Sequence, residues 1–299
     1  EVKLGPSTTL INQGSVEPRR SWFCELMQYL FHPLAFSISM LSIKTLLLPA
    51  FTEASSVDNV LSVQRVQCDL AVVIDVLRAT SVIVTALNSG AKQVTTCGTV
   101  DEARHFASKS SGRSLLCGER NCKKIDGFDL GNSPLEYVPE IISGAEIFLT
   151  TTNGTRAIES MSEVPSVAIA SFLNLSSVVD KVLAYKTVCI VCAGTNDQVT
   201  LEDVLLAGAL VSRVRLSTDL IQVDDASELA ATLWQSRVES RLAEKKVSES
   251  SLLVKCLRDT YGGRNLSRLG FFEDLSVCGQ IDSLSGVPMR FSKDPTRFA

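Results

Sequence analysis

From about Ser42 onward, short apolar runs alternate with stretches whose apolar positions recur every three or four residues. Leu70-Ala71-Val72-Val73-Ile74 is unbroken, largely β-branched and stops at Asp75, which predicts a buried strand. Ala79 to Leu87 predicts a helix closed by Asn88-Ser89-Gly90, and Gln93 to Cys97 a second strand. Thr99-Val100-Asp101-Glu102 is a capping box that opens a helix to about Lys109. Ser114 to Cys117 predicts a short strand, with a polar loop from Gly118 to Asn132. Ser133-Pro134-Leu135-Glu136 combines an N-cap, a proline at the first helical position and a glutamate three residues on, so a helix to Ile142 is expected.

The alternation continues with strands at Glu146–Thr150, Val167–Ala170 and Val188–Ala193, and with helices from Thr155, over Leu173–Tyr185 and from Thr200 to about Arg215. Strand and helix in turn imply a largely parallel sheet with helices on both faces. After Ser217 the strands thin out: Ala226 to Lys246 and Ser250 to Asp259 look helical, Gly262-Gly263 breaks the pattern, and Val287 to Phe291 suits an edge strand. Residues 1–40 carry no comparable period and are expected to be a leader or poorly ordered extension. The main domain is expected over 41–292, with 41–165 and 166–292 as one way of halving it, and 293–299 as a tail. Trp22 to Leu48 is apolar but interrupted by Pro33, serines and Lys44, so no stable membrane span is expected.

Composition narrows the class. The 299 residues carry 29 Lys plus Arg against 33 Asp plus Glu, a formal charge of −4, which speaks against a general nucleic-acid binder. The nine cysteines are odd in number and scattered, which fits a soluble protein of a reducing compartment, the cytoplasm first. Organelle targeting by the leader stays open. Cys189 and Cys192 have metal spacing, but within a strand they point to opposite faces, so buried thiols are expected. Only His32 and His105 are present, too few for a multi-histidine zinc site.

In open α/β sheets, ligands bind beyond the carboxyl ends of the strands. There this sequence places Asp75, Arg78 and Thr80; Glu119 and Arg120; Thr152, Asn153, Gly154, Thr155 and Arg156; and Gly194, Glu202 and Asp203. Each has a plain reading too: Asp75 as a helix cap, Thr152–Thr155 as a turn, Glu202 and Asp203 as acids favoured at a helix start. Neither G-x-G-x-x-G nor G-x-x-x-x-G-K-[ST] occurs, so dinucleotide and P-loop chemistry lack support. Position 77 is Leu, not the second aspartate of a haloacid-dehalogenase-type loop.

Six blocks then occur in one order: Val72–Thr80, Gly118-Glu119-Arg120, Gly127–Pro134, Thr151–Thr155, Val191–Gly194 and Glu202-Asp203. With Gly263-Arg264-Asn265-Leu266 and Asp274–Cys278 they resemble the 2-phosphosulfolactate phosphatase (ComB) family over about Ile43 to Met289. The resemblance implies a three-layer α/β/α architecture with a largely parallel or mixed sheet. It implies a Mg²⁺-dependent hydrolase taking 2-phospho-3-sulfolactate to 3-sulfolactate and phosphate, on the route to coenzyme M. Expected catalytic residues are Asp75, Arg78, Glu119 and Arg120. Expected substrate contacts are Thr80, Asn132, Ser133, Thr152, Asn153, Gly154, Thr155, Arg156, Gly194 and Arg264. Asp75, Glu202 and Asp203 are the expected Mg²⁺ ligands or outer-sphere anchors, with either water or Asp75 as the nucleophile. The loop Asn121–Asp126, with two lysines and an extra cysteine, departs from the family. The partner expected is a small phosphorylated acid, and a homo-oligomer is compatible with the sequence. The competing class is a non-catalytic anion-binding or regulatory module on the same fold.

Overall fold

The aliphatic runs become the inner strands of two sheets. The structure is a computed structural model that describes residues 40–49, 66–244 and 248–299. Two units divide the chain, Glu1–Ile38 and Ser39–Ala299. The first, with most of the expected leader, lies outside the described residues, as do the last residues of the stretch expected to be helical to Lys246.

In chain order the strands are β1 (Leu41–Leu46), β2 (Leu70–Ile74), β3 (Gln93–Thr96), β4 (Ser114–Arg120), β5 (Lys123–Lys124), β6 (Glu146–Thr150), β7 (Ser166–Ala170), β8 (Thr187–Cys192), β9 (Ile221–Val223), β10 (Arg290–Lys293) and β11 (Thr296–Phe298). The helices are α1 (Ala79–Asn88), α2 (Val100–Lys109), α3 (Pro139–Ile142), α4 (Gly154–Glu159), α5 (Leu175–Val182), α6 (Leu201–Ser217), α7 (Asp225–Trp234), α8 (Ser240–Glu244), α9 (Glu249–Asp259), α10 (Tyr261–Arg268) and α11 (Phe272–Cys278).

The first sheet runs β7-β2-β8-β1-β9 with every pairing parallel. The second runs β10-β11-β3-β6-β4-β5, parallel at β3/β6/β4 and antiparallel at both edges. Strand alternation sorts the core: Leu70, Val72 and Ile74 pack on one face with α6 and α7, and Ala71 and Val73 on the other with α1. Helices α1 and α4 share a core with strands of both sheets, while Phe148 packs outward with Ala103 of α2. The α/β class and the helix–sheet–helix layering hold, and the inner helix layer is shared between two sheets. Both sheets take strands from either side of residue 165, so the boundary at 165/166 does not coincide with the division into sheets.

Local differences have local causes. β1 is an inner strand, paired with β8 and β9, whereas its sequence reads only as the end of an apolar stretch. β4 continues to Arg120 and turns back through Asn121 and Cys122, both with positive φ, as a two-residue hairpin requires. The helix expected over 133–142 is broken at Tyr137-Val138, because Pro139 holds Val138 extended. The Thr99/Glu102 capping box forms as expected, with both reciprocal bonds. The edge strand expected over Val287–Phe291 starts at Arg290 and is one arm of the β10–β11 hairpin; residues 293–299, expected as a tail, instead hold its other arm, which pairs with β3 and buries Phe298.

Candidate active site

The carboxyl ends of β2 and β8 from one sheet meet those of β4 and β6 from the other around a cleft of about 390 Å³. Asp75 and Arg78 come from the end of β2, Glu119 from β4, Thr151 to Asn153 from the turn after β6, and Thr195 and Asn196 from the loop after β8. The β4–β5 hairpin tip and one side of α10 close the remaining wall.

Asp75 is the centre of this arrangement. It ends a strand buried at every position, and its own backbone N–H and carbonyl are both bonded by the Thr80 hydroxyl. Its Oδ1 accepts from the Ala79 amide at 3.2 Å, while no donor among the described residues reaches Oδ2. Gly154 makes room for that second oxygen: a Cβ there would lie 2.7 Å from Oδ2 and 2.4 Å from the Ala79 Cβ. Burial, first, and the nearby carboxylates of Glu119 and Glu202 push Asp75 up from 3.8 to about 7.

The other acids divide into anchors and one unsatisfied group. Glu119 accepts from the Thr152 amide at 2.8 Å and from the Cys122 amide at 2.7 Å, and so ties the turn after β6 to the hairpin tip. Asp203 accepts at both oxygens: Val76 N bonds Oδ1 at 2.9 Å, and Gly194 N and Thr200 Oγ1 bond Oδ2 at 3.0 and 2.9 Å. It clamps the ends of β2 and β8 together, with its carboxyl held well above the usual range by burial and by Asp75. Glu202 is buried behind Gly262, its pKa raised by burial, and its Oε2 has no hydrogen-bond partner. Asn132 Oδ1 and Thr152 Oγ1, both on cleft residues, are likewise buried without a partner.

The expected metal set is therefore not brought together as a unit. Among the described residues no group of three His, Cys, Asp or Glu is arranged to hold a metal ion, and both Asp203 oxygens accept hydrogen bonds from residues that follow β2 and β8. Oxygen donors with unmet capacity remain, at Asp75 Oδ2, Asn132 Oδ1 and Glu202 Oε2. An all-oxygen set of that kind suits a hard cation that keeps part of its water shell.

Of the arginines chosen from sequence, Arg78 and Arg156 are ion-paired, while Arg120 and Arg264 hydrogen-bond within the protein and lie outside the cleft lining. Arg78 lines the cleft but is 3% exposed; it donates to Asp274 Oδ2 at 2.5 Å and to the Cys122 carbonyl at 3.2 Å, and lies 4.4 Å from the centre of the Phe271 ring. Asp274 accepts from Ser133 Oγ at 2.6 Å through its other oxygen, so Ser133 serves that pair. Arg120 donates to the Glu119 carbonyl and to Thr150 Oγ1, Arg156 pairs with Asp197 at 3.3 Å, and Arg264 donates to the Asp259 carbonyl. None of these last three lines the cleft. Within the turn, Thr152 N goes to Glu119 and Thr155 N to Thr151 Oγ1 at 3.2 Å.

Sequence reasoning missed Lys123, Tyr261, Asn265 and Arg268, which line the cleft. The hairpin signal Asn121-Cys122 is weak without a glycine, and Gly262-Gly263 read as a break although α10 runs through both. Cys189 packs between the sheets and Cys192 on the opposite face of β8, as strand alternation requires. No helix among the described residues is long and apolar enough to cross a membrane.

A family model described as 2-phosphosulpholactate phosphatase matches residues 59–292. A protein of Thermotoga petrophila named probable 2-phosphosulfolactate phosphatase is 44% identical over 223 residues, 75% of this chain and 89% of that protein. Proteins of the same name from Caldanaerobacter subterraneus subsp. tengcongensis and Prochlorococcus marinus are 42% and 37% identical, over 73% and 75% of this chain and 86% and 90% of their own lengths.

Proposed function

The chain belongs to the 2-phosphosulpholactate phosphatase family, a family of phosphoric monoester hydrolases, and from that we propose a Mg²⁺-dependent phosphatase whose substrate is 2-phospho-3-sulfolactate or a close phosphorylated sulfonic or carboxylic acid. The carrying observation is Asp75, a buried carboxylate that lines the cleft with one oxygen not bonded by any donor among the described residues. In the reaction, a water oxygen bonds to phosphorus as the ester P–O bond breaks, one of the water's protons ends on the leaving alcohol oxygen, and the other stays with the phosphate.

Asp75 Oδ2 would hold the metal or orient the attacking water. Asn132 Oδ1, on a cleft residue, would offer a further oxygen, and Glu202, behind Gly262, would act through water. When bound, Mg²⁺ would offset the charge of the phosphoryl oxygens. Glu119 and Asp203 act indirectly: by holding the Thr152, Cys122, Val76 and Gly194 amides they fix the walls against which the phosphoryl group is oriented. Arg78, neutralised by Asp274, positions the hairpin tip through the Cys122 carbonyl. The Thr152 hydroxyl is free to bond a phosphoryl oxygen.

The test is phosphate release by the purified chain from a panel of phosphorylated small acids, with Mg²⁺ and with excess EDTA. Release that needs the metal supports the reading. Full activity in EDTA removes the metal from it, and binding of the esters without turnover establishes the anion-binding module instead.

A further inference from the structure

We propose that Lys123 and Arg268 are the specificity-determining cations of the cleft, and that they hold the acidic group of the substrate that does not react. The proposal rests on the phosphatase reading and deepens it, by naming the residues that select among phosphate monoesters.

Charge commitment carries the argument. Lys123 and Arg268 both line the cleft and both are exposed, and no carboxylate of the described residues forms an ion pair with either. The remaining cleft cation, Arg78, is buried against Asp274. The elements that carry the two residues are also tied to each other. Arg268 Nη2 donates to Asn265 Oδ1 at 2.8 Å, and Asn265 Nδ2 reaches Cys122 Sγ at 3.5 Å, next to Lys123. These contacts tie α10, which carries Arg268, to the hairpin tip, which carries Lys123, and both residues line the same cleft.

Asp75 belongs to different elements, the end of β2 and its surroundings. A phosphate monoester without a second acid would leave the α10–hairpin charges unused. A short acid carrying phosphate at one carbon and carboxylate or sulfonate at another engages both ends. Guanidinium forks and ammonium groups bond such oxyanions through charge-assisted hydrogen bonds. A cleft of about 390 Å³ lies within the range of small-molecule sites and has room for a molecule of about three carbons.

The probes are phosphoglycolate and ethyl phosphate, which differ by one carboxylate on the same two-carbon skeleton. With metal present, the wild type is expected to prefer phosphoglycolate in kcat/KM. In Lys123→Ala, Arg268→Ala and their double variant that ratio should fall, by on the order of fivefold per exposed charge. The loss should lie in KM, since the group held is remote from the reacting bond. Arg268→Lys and Lys123→Arg should restore most of it, and added salt should shrink the wild-type preference. An unchanged ratio in the double variant, or a loss confined to kcat, overturns the proposal. Hydrolysis of both esters with a wild-type ratio near one also overturns it, while leaving the phosphatase reading intact. Hydrolysis of neither ester, nor of any other phosphorylated acid, removes the reading and this inference together.

Discussion

At the scale of single residues, Asp75 separates charge from shape. Asp75→Asn keeps an acceptor for the Ala79 amide, so a mere cap would cost at most about 1 kcal/mol and leave turnover nearly intact. If the anion is needed at the reacting centre, turnover should fall on the order of a thousandfold in a variant that still folds. The same residue sets a pH dependence. Its carboxyl is raised from 3.8 to about 7 in the folded chain, so the folded state binds this proton more tightly than the unfolded state. The stability this contributes is fully present below about 4 and is lost as pH rises through about 7. Glu202 and Asp203, raised by burial as well, act with the same sign. Melting of the wild type in chelator should therefore drop from pH 5 to pH 8, and Asp75→Asn should flatten the drop. A wild-type profile that rises over that window would show the carboxylate to be stabilised rather than strained by its surroundings.

At the scale of elements, α10 depends on a close approach that its glycines permit. A Cβ on Gly263 would stand 1.8 Å from the Leu257 carbonyl oxygen at the end of α9, and one on Gly262 would stand 2.1 Å from Glu202 Oε1. Alanine inside a free helix gains up to about 1 kcal/mol over glycine, yet here the backbone of α9 is in the way. Gly263→Ala should accordingly destabilise by about 1–3 kcal/mol in denaturant melts and, because α10 carries Asn265 and Arg268, raise KM. A gain in stability would show that α10 does not pack so closely. The glycine pair thus serves packing, although in the sequence it looks like a helix break.

At the scale of the whole molecule, the two sheets draw on both ends of Ser39–Ala299. β1 lies between β8 and β9 with Ile43 buried, and β11 lies against β3 with Phe298 fully buried. Both fall outside residues 59–292, the span of the family match. A chain cut to 59–292 should therefore be insoluble or melt far below one that begins at residue 39 and runs to the end, as circular dichroism would read. Comparable cooperative melting of the two would show that neither strand is needed.

Much of the site was legible before folding was considered, and the reason is local. A β-branched run, the aspartate that ends it, a capping box and a Thr-Asn-Gly-Thr turn are written within windows of a few residues, so Asp75, Glu119 and the Thr152–Thr155 turn could be placed at strand ends from sequence alone. What each charge is committed to is not local. Arg78 meets Asp274 across 196 positions, and Asp203 meets Val76 across 127. Only the tertiary structure could show that Arg78 is paired with Asp274 and Arg156 with Asp197, that Asp203 clamps two strands, and that Lys123 and Arg268 line the cleft without an ion pair among the described residues. Hydrophobic period and turn chemistry act between neighbours in sequence, whereas a buried charge takes whichever partner the fold brings within about 3 Å.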